Sequence, residues 1–269
     1  MIGAVLLLAG LIVAGCASGS GASGRANTIQ HTLTSTVQIF IRQSEYVAGA
    51  TDGEPAAVAT RTVKIRRAGS GVVVHSQGAG GRSYLLTARH VVLPPAEQDI
   101  AVVAPNRSAQ KIAKLVAVSE KYDLALLEVS GLELTPVTLK AQSTLGDGVW
   151  VVAFPWGRRR TVVTGVVSQV EWPRTAPDEI PINGAVLLID APVSYGTSGG
   201  GVFDEESGRL IGMVRGYRTA ELVLPGVESG KIKLPVAGET TVVPSVRIIE
   251  FLERSGFGHL LGNGSRIGE

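Results

Sequence analysis

The 269-residue chain holds one cysteine, Cys16, which excludes an intramolecular disulfide. Aromatic residues make up only 5% of it and histidines number four. Neither charge sign is in excess: the net charge is +2, which gives no electrostatic footprint for nucleic acid, and none is expected as a partner. No paired histidine spacing accompanies the lone cysteine, so neither a metal nor another cofactor is expected. The apolar run near the amino terminus falls short of the ~20 residues a membrane-spanning helix needs. A fold without disulfides, metal or many aromatic rings must stand on its aliphatic core alone.

That amino-terminal run covers Ile2 to Ala14 and has the length of a signal-peptide core. It ends in Val13-Ala14-Gly15-Cys16, small residues before a cysteine. The pattern resembles the bacterial lipobox, although no Lys or Arg precedes the run. The resemblance implies a signal peptide over residues 1–15, cleavage before Cys16, a lipid on its thiol, and export to the bacterial cell envelope with the membrane as partner. Ala17 to Gly24 is built of Gly, Ser and Ala, a composition that behaves as flexible coil. A tether over residues 16–30 is therefore expected, with folding beginning near Thr28.

What is abundant is glycine, 34 in all, alongside Val and Thr. Short β-rich runs recur between turn signals: Thr36 to Arg42, Gly71 to Val74, Tyr84 to Thr87, Ile100 to Val103, Ala113 to Ser119 and Leu124 to Val129. Val149 to Ala153, Thr161 to Val170, Val186 to Ile189 and Leu210 to Arg215 continue the series. Regular short strands of this kind predict an all-β sandwich or barrel. Ser245 to Arg254 alone reads as helix, with Ser245 as its cap and Gly256 closing it. Gln43 to Thr60 reads as a long loop, and Arg66-Arg67 and Arg158-Arg159-Arg160 as solvated turn faces. A boundary near Thr135-Pro136 divides the strands into two similar sets, residues 31–135 and 136–255, before a tail over 256–269.

Three short segments carry chemistry. Ser198 lies in Tyr195-Gly196-Thr197-Ser198-Gly199-Gly200. A serine hydroxyl needs a base to become a nucleophile, and the oxyanion it creates needs aimed donors. Glycines around Ser198 allow the amides of Gly196 and Ser198 to converge as such donors. His90 follows the strand-like Leu85-Leu86-Thr87 and Ala88-Arg89, where an imidazole can take and return a proton near neutrality. Asp123 stands directly before Leu124 to Leu127, where a carboxylate can orient that imidazole. Each segment alone is common in ordinary turns and strand ends. Their conjunction in the order His, Asp, Ser is not, since other serine hydrolase folds run Ser, Asp, His or Asp, His, Ser.

With these flanks the chain resembles the trypsin-like peptidases, most closely the HtrA/Deg branch, over about Val37 to Leu252. Gly69-Ser70-Gly71, Phe154-Pro155-Trp156-Gly157, Thr164-Gly165-Val166-Val167-Ser168, Asp190-Ala191-Pro192 and Val243-Pro244-Ser245 match that branch's segments in turn. The resemblance implies two perpendicular six-stranded antiparallel β-barrels with a carboxy-terminal helix, and a His90-Asp123-Ser198 triad between the barrels. It departs at Gly201, where the family has Pro or Ala, and at Arg89, where it has a small residue. With the chain ending at Glu269, regulation through an appended PDZ domain is not expected, and the 43–60 segment falls at a variable regulatory loop.

The expected activity is endoproteolysis of unfolded or flexible protein and peptide substrates through an acyl-enzyme. Counting back from Ser198, Pro192 and Val193 stand where trypsin carries its acidic pocket base, and Met213 and Val214 lie on the opposite wall. Such an apolar pocket favours small or medium aliphatic residues at the cleaved bond. Asp190 is expected to make structural hydrogen bonds. The rivals are an inactive trypsin-like peptide-binding lipoprotein, an acyl esterase using the same triad, and a purely structural lipoprotein.

Overall fold

The computed structural model describes residues 20–47, 60–78, 80–93, 98–106, 109–170, 187–223 and 231–262. The lipobox-like residues 13–16 lie outside them. Helix α1 (Ser20–Thr34) leads into a first barrel of β1 (Thr36–Val47), β2 (Thr60–Ser76), β3 (Arg82–Ala88), β4 (Gln98–Val103), β5 (Gln110–Ser119) and β6 (Leu124–Ser130). A single-turn helix, α2 (Arg89–Val92), follows β3. The second barrel comprises β7 (Gly148–Ala153), β8 (Thr161–Gln169), β9 (Leu187–Ile189), β10 (Gly201–Asp204), β11 (Leu210–Val223) and β12 (Lys231–Pro244). Helix α3 (Ser245–Arg254) comes last.

Both sheets close, in the orders β1-β2-β3-β6-β5-β4 and β10-β11-β12-β9-β8-β7, and every pairing is antiparallel. Closure leaves no sheet edge, which suits a fold lacking covalent cross-links. The all-β, two-barrel expectation with a carboxy-terminal helix therefore holds. Alternation sorts the side chains by face. Val149 and Val151 of β7 enter the second barrel's core, whereas Val152 joins the larger cluster that runs through the first barrel to α3. In that larger cluster Leu85, Leu86, Leu126 and Leu127 are fully buried, each worth about 1.5–3 kcal/mol of hydrophobic transfer.

The two barrels are tied directly. The amide of Ser70 on β2 donates to the carbonyl of Ser198 at 2.9 Å, and the segment connecting the barrels is held to the first by the Val137 amide, which donates to the Val73 carbonyl at 2.8 Å. Leu139 bridges Leu210. Helix α3 packs Ile248, Ile249, Phe251 and Leu252 onto the same cluster as the first barrel.

Three local expectations need correction. Residues 20–24, read as coil, form the first turns of α1. Their composition is a poor helix former, so the helix rests on its other end, where Thr32 is buried and Ser35 Oγ and Thr36 Oγ1 donate to the carbonyls of His31 and Thr32. Residues 43–47, read as loop, extend β1, because the ladder with β2 continues to Val47↔Thr60; residues 48–59 lie outside the described ones. Ser245 does not cap α3: the cap position is Pro244, and the Ser245 hydroxyl donates to the carbonyl of Lys140. The tail after α3 is packed as far as Leu261, with Leu260 and Leu261 buried against the first barrel's cluster.

Candidate active site

The chain places His90 in α2, immediately after β3 delivers its buried apolar face to the first barrel. Asp123 closes the tight turn between β5 and β6 in the left-handed region, at φ 57°, an unfavourable conformation for a residue with a Cβ. Its neighbours hold it there: the Arg89 amide donates to the Asp123 carbonyl at 2.9 Å, and the His90 amide to Oδ1 at 3.0 Å. The remaining oxygen, Oδ2, lies 2.6 Å from His90 Nδ1. A carboxylate only accepts, so Nδ1 carries the proton and Nε2 is left as the acceptor. The Asp123 side chain is 13% exposed and that of His90 49%, so the pair is sheltered at the acid and open at the imidazole.

Ser198 sits across the cleft on a turn that only glycines permit. Gly196 has φ 86°, and a Cβ there would lie 2.7 Å from the Trp156 amide nitrogen. Gly199 has φ 84°, and a Cβ there would overlap the Ser70 carbonyl oxygen. Beneath the turn the fully buried Ser70 hydroxyl donates to the Gly196 carbonyl at 3.0 Å and accepts from the Phe154 amide at 2.9 Å. Among the described residues neither the Gly196 nor the Ser198 amide has a protein acceptor.

His90 and Ser198 line one cavity of about 120 Å³ with Arg67, Ala68, Val193, Tyr195 and Gly216. The Ser198 hydroxyl donates to the Arg215 carbonyl at 3.3 Å. Imidazole and carboxylate are thus hydrogen-bonded, and the hydroxyl shares a cavity with the imidazole but points to another acceptor.

Of the predicted pocket residues, Val193 and Val214 line this cavity. Pro192 does not: it borders a smaller neighbouring cavity with Val151 and Val163. Met213 does not either. It is fully buried in the inter-barrel cluster, because adjacent residues of β11 face opposite ways and Val214 takes the second barrel's side. Asp190 is exposed beside Gly238 and does not line the cavity.

Arg89 also stays off the cavity and points to Glu120, 3.7 Å away. Gly201 is required by Phe203, whose ring occupies the space a Cβ would take.

Sequence reasoning missed several residues here. Arg67, read as a solvated turn residue, lines the cavity and donates through Nη1 to the His90 and Leu93 carbonyls at 3.0 and 2.5 Å. Arg160 is likewise partly buried, donating to the Leu33 and Pro105 carbonyls, and burial holds its guanidinium below the ordinary arginine range. Arg215 approaches Asp123, and Tyr195, Tyr217 and Trp156 present exposed aromatic surface. The Arg doublet and the Trp were visible in the sequence; no local pattern marked their direction.

Two closed antiparallel barrels with a histidine, a carboxylate and a glycine-flanked serine at their junction define the class of trypsin-like hydrolases. Residues 69–213, over half of the chain, match the family model of the trypsin-like peptidase domain, and the chain belongs to that family. A probable periplasmic serine endoprotease, DegP-like, of Pseudomonas fluorescens is 34% identical over 149 residues, covering 54% of this chain and 28% of that protein. The corresponding protein of Hahella chejuensis is 36% identical over 149 residues, covering 54% and 29%. The chain thus spans under a third of the length of these curated relatives. Among solved structures, the HtrA-type protease AlgW with decapeptide superimposes with TM-score 0.63 at 21% identity, covering 87% of this chain and 68% of that one. At that identity the likeness speaks for the fold.

Proposed function

We propose that this chain is a serine endopeptidase in which Ser198 is the nucleophile, His90 the general base and acid, and Asp123 the carboxylate that orients the imidazole. The observation that carries the reading is the 2.6 Å bond from His90 Nδ1 to Asp123 Oδ2, with His90 and Ser198 lining one cavity. Family membership and the DegP-like relatives support it.

In the proposed cycle the Ser198 hydroxyl rotates about χ1 from the Arg215 carbonyl toward His90 Nε2, one staggered well to another. It loses its proton to Nε2 as its oxygen attacks a peptide carbonyl carbon. The tetrahedral oxyanion is held by the Gly196 and Ser198 amides, each donor worth about 3–4 kcal/mol in the transition state. His90 then gives its proton to the departing amine, and the C–N bond breaks to leave an ester on Ser198. Water, deprotonated by His90, releases the acid and restores the serine.

Val193, Val214 and Gly216 offer an apolar wall to the residue before the scissile bond, and no carboxylate lines the cavity among the described residues. Small or medium aliphatic side chains are favoured there over Lys or Arg. Flexible or unfolded chains are the proposed substrates, in keeping with the AlgW structure that carries a decapeptide. The proposed location is the bacterial cell envelope with a lipid on Cys16, supported by the periplasmic naming of the relatives and by the Val13-Ala14-Gly15-Cys16 pattern.

The test is digestion of a denatured peptide library by the wild-type protein and by Ser198→Ala. Cleavage after Ala, Val or similar residues by the wild type alone is expected. Equal cleavage by the variant removes the proposed nucleophile.

A further inference from the structure

Two large aromatic side chains stand in water beside the proposed nucleophile. Trp156 is 63% exposed and Tyr195 51%, and their rings are 5.3 Å apart between centroids, tilted by 36°. The Trp156 backbone lies at φ 56° and ψ 18°. With Asp123 it is one of two non-glycine residues in the left-handed region among the described residues. Such a conformation persists only where its surroundings hold it. Here the Trp156 amide donates to the Tyr195 carbonyl at 2.7 Å, which fixes the tryptophan to the turn that carries Gly196. An indole held in solvent by a strained backbone forgoes the burial that normally rewards its area.

Its position relative to the scissile bond follows from the packing. Val193, Val214, Gly216 and Tyr217 line the cavity, and the proposed function seats the acyl half of the substrate against them. Arg67 and Ala68 of β2 line the same cavity. Gly157 is pressed against that strand, since a Cβ on it would lie 2.5 Å from Ala68 Cβ and 2.9 Å from the Phe40 ring. Trp156 does not itself line the cavity, but its neighbour packs on Ala68 and its ring meets that of Tyr195, which does, so a chain crossing Ser198 from β11 continues over Tyr195 toward it.

We infer that Trp156 and Tyr195 form a subsite for a large apolar or aromatic side chain within the first two residues after the scissile bond. The inference rests on the peptidase reading and adds a substrate preference on its leaving-group side. Offset or edge-on ring contact with such a residue, and its removal from water, is the source of selectivity.

The experiment uses peptides that differ only in the two residues after the cleaved bond, Phe, Leu, Ala or Asp, with wild type, Trp156→Ala, Trp156→Phe and Tyr195→Ala. The wild type is expected to show about a tenfold higher kcat/KM for Phe than for Ala. Trp156→Ala and Tyr195→Ala bring that ratio toward one, and Trp156→Phe retains part of it. A merely structural role lowers all peptides alike and leaves the ratio intact, which overturns the subsite, as does a wild-type ratio near one. Fluorophosphonate labelling of the same samples separates the two levels. A labelled, cleaving protein without the preference loses only the subsite. A protein that neither labels nor cleaves loses the peptidase reading and the subsite together.

Discussion

The buried hydroxyl of Ser70 donates to the carbonyl of Gly196 at 3.0 Å, so a side chain of the first barrel fixes a peptide group of the second. The same oxygen accepts from the Phe154 amide at 2.9 Å. Ser70 thereby fixes the plane of the Gly196–Thr197 peptide, in the turn that also carries the Gly196 amide. Ser70→Ala leaves a buried carbonyl and a buried amide without this partner, and a loss of about 1–3 kcal/mol is expected in chemical denaturation. In peptide turnover kcat should fall more than KM rises, because the turn carrying the proposed oxyanion donors, and not the substrate wall, is disturbed. A variant with wild-type kcat would show that Gly196 is held by other means.

Asp123 reaches His90 through both carboxylate oxygens, one on the backbone amide and one on the ring. Asp123→Asn keeps the size but offers an amide where the ring needs an acceptor, and favours the wrong tautomer. Turnover is expected to fall by about 10⁴-fold with KM little changed and circular dichroism unaltered. A loss of under tenfold would place the orienting role elsewhere.

Lys140, in the segment before β7, is held between Asp204 and Asp147 at 2.7 and 3.3 Å. Burial opposes charge on Asp204, but the Lys140 ammonium and the Ser207 hydroxyl and amide outweigh it, and its carboxyl lies below the ordinary aspartate range. Burial likewise opposes charge on Lys140, and its two carboxylate partners raise it above the ordinary lysine value. The signs follow from linkage. The Asp204 contribution is complete above the unfolded aspartate pKa and disappears as pH falls through the lower folded value. The Lys140 contribution is complete below the unfolded lysine pKa and disappears as pH rises through the higher folded value. Denaturation midpoints should therefore drop at both ends, and Asp204→Asn should flatten the acid side. An unchanged acid slope in that variant would contradict the assignment.

Tyr122, next to Asp123, donates its hydroxyl to Glu250 of α3 at 2.8 Å, a bond that holds the glutamate below its ordinary range. Tyr122→Phe should cost about 1 kcal/mol of stability. Measured as a shift in urea midpoint, no change would mean that the contact between turn and helix is carried by packing alone.

The sequence made ten of the twelve strands legible through β-branched runs between turns. It concealed β10 and β12 for different reasons. Gly201 to Asp204 is short and follows the glycines of the nucleophile turn, and Lys231 to Pro244 carries Pro235, Gly238 and charged residues that no alternation reveals. β12 is a strand because β11 and β9 pair with it. Nor does composition reveal α1 over Ser20 to Gly24, since the helix is held at its other end, where Thr32 is buried. In the site, His90, Asp123 and Ser198 could be read because their flanking residues are constrained locally. Arg67, Ser70, Trp156 and Arg215 could not, because each acts on a residue more than twenty positions away along the chain.

The most direct measurement is mass-spectrometric mapping of the adduct formed with a fluorophosphonate at neutral pH. The account predicts a single phosphonylated residue, Ser198, with labelling abolished in His90→Ala. Absence of an adduct, an adduct on another serine, or undiminished labelling of Ser198 without His90 would contradict it.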